Sequence, residues 1–164
     1  MGHGTDYRCG KCGREYGVRT GTGFLFPKEY RETMTAIADG VYGAELKAIC
    51  EKTPYAAVDA ETKVFCCGSC GAWETGKDLT LWAPDDPAAV SGKRYGEKTA
   101  EEWGCVPYVS RRTLEEEYHV VKRRYRKCPR CGHRMHRASE EELRRLPCPD
   151  CGEPNAPQGE ILWD

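Results

Sequence analysis

Cysteines are the residues of this chain whose spacing most clearly indicates chemistry. Eleven cysteines occur in 164 residues, and eight of them form four short motifs of the pattern CxxCG. Two thiolates separated by two residues on a tight turn can bind one ion, and the following glycine permits a positive φ. The motifs predict four metal-binding turns whose ligands are Cys9 and Cys12, Cys67 and Cys70, Cys128 and Cys131, and Cys148 and Cys151.

The intervals between the turns predict which of them share an ion. The third and fourth turns are 16 residues apart (132–147), which fits the usual spacing of a four-cysteine zinc site. The first and second turns are 54 residues apart (13–66), which is long for a simple ribbon. The predicted second site therefore contains Cys128, Cys131, Cys148 and Cys151. The predicted first site contains Cys9, Cys12, Cys67 and Cys70.

The four turns resemble the zinc knuckles of zinc ribbons, which are small β-hairpin modules of transcription factors, RNA polymerase subunits and ribosomal proteins. The layout is also similar to that of uncharacterised bacterial proteins known only to contain a zinc ribbon. The resemblance covers residues 8–73, with an insertion, and the chain from residue 126 onward. It implies two bound Zn²⁺ ions and implies no particular activity.

The first two turns also resemble those of rubredoxin, in which an aromatic residue or an alanine follows CxxCG. Tyr16 and Ala72 match this pattern. The resemblance implies an alternative for the first site, one iron ion that transfers electrons, because four sulfur ligands alone do not separate iron from zinc. The 54-residue interval departs from the compact rubredoxin pattern.

The segments between the turns predict an α+β fold. FPKEYRETMTAIADG is typical of a helix, with Pro27 in its first turn and Gly40 just past its end. AELKAICEK predicts a second helix, and SEEELRRL contains a capping box formed by Ser139 and Glu142. TKVFCC and PQGEILWD predict strands, and AWETGKDLTLW predicts a hairpin that turns at residues 75–77. The expected architecture is two small four-cysteine ribbon modules, the first with a helical insertion.

Composition predicts the domain boundaries. Only 39% of the residues are hydrophobic and 31% are charged, so we expect metal to stabilise the chain in place of one large apolar core. Residues 84–110 are rich in proline, glycine and charge, which predicts a linker or long loop with one helical turn near residues 100–103. The predicted domains are an N-terminal zinc ribbon at 1–83 and a C-terminal zinc ribbon at 111–164.

The sequence predicts a cytoplasmic protein without catalytic residues. No apolar segment approaches the length of a membrane span and no signal peptide is recognisable, so metal binding is favoured over disulfides. A full set of four cysteines leaves no open position on the metal, and no nucleophile motif or phosphate-binding loop indicates a small-molecule substrate. His133 and His136 are alternative ligands, and Cys50, Cys66 and Cys105 are expected to be small buried hydrophobic residues.

Charge is the remaining clue to function. The whole chain has a net charge of −1, yet the segment KRRYRKCPRCGHRMHR at 122–137 contains no acid. Basic residues around an aromatic ring favour contacts with nucleic-acid phosphates and bases. The predicted contact residues are Lys122, Arg123, Arg124, Tyr125, Arg126, Lys127, Arg130, Arg134 and Arg137. Two alternatives stay open: a solvated face balanced by the acidic triplets at 115–117 and 140–142, and a protein-interaction adaptor.

Overall fold

Helices and antiparallel sheets together make up the fold, which confirms the predicted α+β class. The computed structural model describes residues 2–23 and 25–163. Its helices are α1 Phe26–Ala38, α2 Ala44–Lys52, α3 Pro87–Gly92, α4 Ala100–Trp103, α5 Arg111–Glu117 and α6 Glu140–Leu143. Its strands are β1 Gly2–Arg8, β2 Glu15–Gly21, β3 Ala57–Val58, β4 Thr62–Cys66, β5 Trp73–Lys77, β6 Leu81–Pro84, β7 Arg94–Tyr95, β8 Lys98–Thr99, β9 Tyr118–Lys122, β10 His136–Arg137 and β11 Pro157–Trp163.

The chain divides into two compact units, each built from separate segments. We call one the ribbon unit; it contains Met1–Phe24, Glu61–Lys77 and Tyr125–Asp164. The other, the insert unit, contains Leu25–Ala60 and Asp78–Arg124. This division differs from the predicted domains at 1–83 and 111–164 and from the predicted linker at 84–110. The reason is that residues 84–110 fold: they form α3, α4 and the β7–β8 hairpin, and their buried side chains include Val90, Tyr95, Ala100, Val106 and Val109.

The ribbon unit is organised around one sheet. Its strand order is β10-β4-β2-β1-β11, with β5 paired to β4 outside this path. The predicted strand at the C-terminal end is confirmed as β11, which pairs antiparallel with β1. The predicted hairpin at residues 75–77 is wrong, because Trp73–Lys77 is a strand paired with β4. The following strand, β6, belongs to the sheet of the insert unit.

Two small clusters form the apolar core of the ribbon unit. One contains Tyr7, Val18, Val64, Cys66 and Leu146. The other contains Phe65 and Met135 together with two of the metal-ligand candidates, Cys67 and Cys128. Neither cluster provides the apolar area of an ordinary domain core, so this unit depends on other sources of stability.

The insert unit has a conventional core. The unit contains five helices and the three-stranded sheet β3-β6-β9, and 17 of its buried residues form one cluster. Tyr30 and Ile37 of α1 are buried on one face, as the predicted amphipathic pattern requires. The predicted helices around Pro27, in AELKAICEK and at residues 100–103 are confirmed as α1, α2 and α4. Within the described residues, the helices are too short and too polar for any of them to cross a membrane.

Candidate metal centres

All four CxxCG turns have the same backbone geometry. The residue before the first cysteine of each turn pairs with the residue seven positions later, as in Arg8 with Glu15 and Lys127 with Arg134. Inside each turn the glycine N–H donates to the carbonyl of the first cysteine at 2.8–3.0 Å. The glycines have φ between 71° and 75°, which is the left-handed conformation that other residues adopt at a cost. The repeated sequence motif is therefore a repeated structure.

Strand pairing decides which turns meet. β1 leads into the first turn and pairs with β11, which follows the fourth turn. β4 leads into the second turn and pairs with β10, which follows the third turn. In both cases the strand after one turn lies against the strand before its partner turn. The sheet thus brings the first turn to the fourth and the second turn to the third.

The sulfur atoms form two groups of four, and within each group all Sγ atoms lie within 4.8 Å of one another. The terminal site contains Cys9, Cys12, Cys148 and Cys151. The central site contains Cys67, Cys70, Cys128 and Cys131. The shortest Sγ–Sγ distances between turns are 3.5 and 3.6 Å in each site. Each site can hold one metal ion.

This grouping corrects the predicted pairing of the turns. The sequence predicted that the third and fourth turns share an ion because their 16-residue interval is usual for a ribbon. The structure places them in different sites, and the same holds for the first and second turns. The first and fourth turns meet although 136 residues separate Cys12 from Cys148. The interval between turns did not predict the pairing because β1, near the start of the described chain, pairs with β11, near its end.

The geometry of both sites fits a tetrahedral ion. Zinc–sulfur bonds of about 2.3 Å place the sulfurs of a regular tetrahedron about 3.8 Å apart, close to the observed distances. The pKa of Cys9 and that of Cys67 are lowered to about 6, because the backbone N–H groups of Cys12 and Cys70 donate to their sulfurs. In Cys12, a backbone hydrogen bond with Arg14 lowers the pKa, but side-chain hydrogen bonding with Cys9 and burial raise it to about 12. Four crowded thiols therefore need a cation to become thiolates together.

The other cysteines and the histidines lie outside both sites. Cys66 is buried in the ribbon core, and burial raises the pKa of its thiol to about 11, in keeping with the predicted hydrophobic role. Cys50 packs against the insert core, whereas Cys105 is exposed, contrary to expectation. His133 is exposed, and Nε2 of His136 lies 2.7 Å from the Glu142 carboxylate. Neither histidine belongs to a sulfur group.

The predicted nucleic-acid contacts divide between the two units. Lys122, Arg123 and Arg124 belong to the insert unit. The Lys122 ammonium lies 2.5 Å from the Glu45 carboxylate, and the Arg124 guanidinium lies 5.5 Å from the centre of the Tyr42 ring. Two of these three basic side chains therefore have partners within the insert unit.

Arg126 in the ribbon unit has a structural role. Its guanidinium donates to the Glu74 carboxylate at 3.0 Å and to the Lys77 carbonyl at 2.9 Å, and it lies over the Phe65 ring. Arg137 is half-buried in β10 and pairs with Phe65 through the backbone. Sequence reasoning assigned both to a binding surface because charge alone does not show whether a side chain packs inward.

Three basic side chains around the third turn are exposed. Lys127, Arg130 and Arg134 lie on or beside this turn, and no ion pair of the described residues involves them. The Arg134 guanidinium stacks on the ring of Tyr125, which is 54% exposed. We call these four residues the basic surface.

Sequence reasoning missed Asn155, which connects the terminal site to the rest of the ribbon unit. Its side-chain carbonyl accepts from the Gly10 N–H at 3.1 Å, and its amide donates to the Tyr16 hydroxyl at 3.2 Å. Tyr16 in turn donates to the Leu146 carbonyl. The only signal in the sequence is that Asn155 lies four residues after Cys151, between the fourth turn and β11.

Comparison with known proteins adds no family to this description. The chain matches no protein-family profile, no curated protein sequence and no solved structure. The two four-cysteine sites are consistent with zinc-ribbon-like modules.

Proposed function

We propose that the protein binds two structural zinc ions and uses its basic surface to bind single-stranded nucleic acid. This proposal rests on Lys127, Arg130 and Arg134, which are exposed, form no ion pair among the described residues and lie next to an exposed tyrosine. Single strands are bound by cations that contact phosphates and by aromatic rings that stack on bases. A reducing compartment such as the cytosol suits a protein whose eleven cysteines form no disulfides.

The donor sets favour zinc in a structural role over catalysis. Each site offers four thiolates, which complete a tetrahedron and leave no position for water or substrate. On this basis we propose that the protein is not an enzyme. Elemental analysis of the purified protein should give two zinc equivalents per chain, and the sample should be colourless.

Electron transfer by a bound iron ion is a weaker alternative in this fold. The rubredoxin resemblance implied it as an alternative for a site formed by the first two turns, but these turns lie in different sites. An absorption band of iron–thiolate bonds in freshly purified protein would favour iron over zinc.

The negative charge of the zinc sites affects how the basic surface must be tested. One Zn²⁺ with four thiolates has a formal charge of −2, so nearby cations partly compensate the metal centres. A test of the basic surface therefore needs a control variant with the same change in net charge. Arg31 and Lys52, exposed residues of α1 and α2, provide it.

The test compares two double variants by fluorescence anisotropy of a labelled single-stranded oligonucleotide. Lys127→Gln with Arg134→Gln should weaken binding and reduce the dependence of log affinity on log salt by about 0.7 for each lost contact. Arg31→Gln with Lys52→Gln should leave both quantities near the wild-type values. No binding at low salt, or equal losses in the two variants, would contradict the proposed function.

A protein-interaction adaptor is the second candidate, favoured by the exposed end of β11. Ile161 and Leu162 are 47% and 64% exposed, and β11 is the terminal strand of its sheet. Such an edge can accept a strand from a partner protein. If so, Ile161→Lys should abolish recovery of a partner present in fixed proportion, while Val41→Lys, at a 70% exposed residue of the insert unit, should not.

A further inference from the structure

A cleft of about 330 Å³ opens between the second and fourth turns of the ribbon unit. Its lining includes Trp73, Arg130, Pro147 and Asp150, together with ligand cysteines of both metal sites. Its volume lies at the lower end of the range for clefts that bind small ligands. Nothing in the metal-binding role of the turns requires such a space.

Trp73 gives this cleft a fixed aromatic wall. Its indole N–H donates to the Pro147 carbonyl at 2.7 Å, which connects β5 to the residue before the fourth turn. Its ring also lies against the Tyr16 ring, with 6.1 Å between centroids. An aromatic ring held in place in this way loses little conformational entropy when a flat ligand stacks on it.

Arg130 connects the cleft to the basic surface, because it belongs to both. It occupies the third position of its CxxCG turn, and Lys11 occupies the same position in the first turn. Lys11 does not line the cleft. A nucleic-acid strand whose phosphates contact the basic surface would therefore contact Arg130, which also lines this cleft.

Besides Arg130, the cleft is lined by one carboxylate, that of Asp150, which accepts hydrogen bonds. Asp150 is half-exposed and lies 3.4 Å from the Arg14 guanidinium. Such a lining disfavours a phosphate inside the cleft and favours a neutral, flat group with N–H donors.

We propose that this cleft binds one nucleobase of a single strand, stacked on Trp73, with its exocyclic amine directed to Asp150 and a neighbouring phosphate on Arg130. The inference rests on the proposed function and adds the identity of the group that is recognised. It predicts a preference for cytosine over thymine, because cytosine has an exocyclic amine and thymine has none.

The test uses the zinc-loaded full chain and three single-stranded probes of equal length and charge: oligo(dC), oligo(dT) and an abasic strand. Wild-type protein should bind oligo(dC) most tightly and the abasic strand least tightly. Trp73→Ala should weaken oligo(dC) binding roughly 5- to 150-fold, the usual effect of losing one base stack, and leave the abasic strand unaffected. Arg130→Gln should weaken binding of all three probes, whereas Lys11→Gln, the control at the equivalent position outside the cleft, should leave all three affinities near their wild-type values.

Asp150→Asn is the second variant, because Asp150 is half-exposed and asparagine preserves the size of its side chain. It should reduce the preference for oligo(dC) over oligo(dT). If Trp73→Ala loses zinc, an unchanged preference in Asp150→Asn overturns the inference. Equal binding of all three probes by wild-type protein overturns the inference alone, whereas no binding of any probe overturns the proposed function and the inference together.

Discussion

The ribbon unit and the insert unit differ in the size of their apolar cores and in whether they contain metal sites. The insert unit buries 17 residues in one cluster, including the large side chains Tyr30, Leu81 and Leu114. The ribbon unit has two clusters of five and four buried residues, and two of these nine are ligand cysteines. Both metal sites lie in the unit with the smaller core.

This difference indicates what the metal contributes. A small apolar core does not offset the conformational entropy lost on folding, so small domains use metal ions or disulfides instead. In the ribbon unit each ion would join two turns that lie far apart in the sequence. The binding free energy of such a site is largely free energy of folding.

Removal of metal should give the largest contrast between the units. A chelator removes about 10–16 kcal/mol of binding free energy for each structural zinc site, which we expect to unfold the ribbon unit. The insert unit should keep its structure because its core contains none of the site cysteines. Hydrogen exchange measured by mass spectrometry should show lost protection in β1 and β4 and retained protection in β6 and β9. Equal loss in both units would contradict the contrast.

A core substitution in the insert unit should have the opposite selectivity. Leu81 is completely buried in this core, and Leu81→Ala should lower the free energy of unfolding by about 3 kcal/mol without changing the zinc content. Leu25→Ala is the control, since Leu25 in the same unit is 62% exposed. Denaturant unfolding and elemental analysis check both quantities. A loss of zinc in Leu81→Ala would show that the two units are not stabilised separately.

Substitution of Arg126 tests whether polar contacts stabilise the ribbon unit in addition to the metal ions. Arg126→Ala removes the hydrogen bonds to Glu74 and to the Lys77 carbonyl, and should cost about 2 kcal/mol of stability. Arg123→Ala removes an exposed arginine of the insert unit and should change stability by less than about 0.5 kcal/mol. If thermal unfolding gives equal values, the structural role of Arg126 is wrong.

Substitutions in the two capping boxes should have the smallest effects on stability, and these effects should not differ between the units. Ser139 caps α6 in the ribbon unit and Thr99 caps α4 in the insert unit, and each accepts a backbone N–H at 3.2 Å. Ser139→Ala and Thr99→Ala should each cost about 1 kcal/mol, because local capping does not depend on the source of core stability. Denaturant unfolding of the two variants provides the comparison, and a much larger loss in one of them would show that capping depends on its unit.

Local features of the fold could be predicted from the sequence. Proline, glycine and the capping residues located α1, α2 and α6, since these signals act within a few residues of the helix ends. The eight cysteines of the two sites followed from CxxCG alone, because the turn geometry is set by five consecutive residues.

Long-range features could not be predicted in the same way. The pairing of turns depends on β1 with β11 and on β4 with β10, and nothing in these short strands specifies their partners. Residues 84–110 have the composition of a linker, yet Val90 and Val106 are buried in a core that the local sequence does not reveal. The role of Arg126 was hidden for the same reason, because its partner Glu74 is 52 residues away.

The zinc content of two double-cysteine variants tests the pairing of the turns most directly. Cys9→Ser with Cys148→Ser removes two ligands of the terminal site, so the central site should keep one zinc equivalent. Cys9→Ser with Cys67→Ser removes one ligand from each site, and neither should hold zinc at wild-type affinity. If instead the Cys9/Cys67 variant retains one equivalent and the Cys9/Cys148 variant retains none, the first turn shares its ion with the second and the pairing described here is wrong.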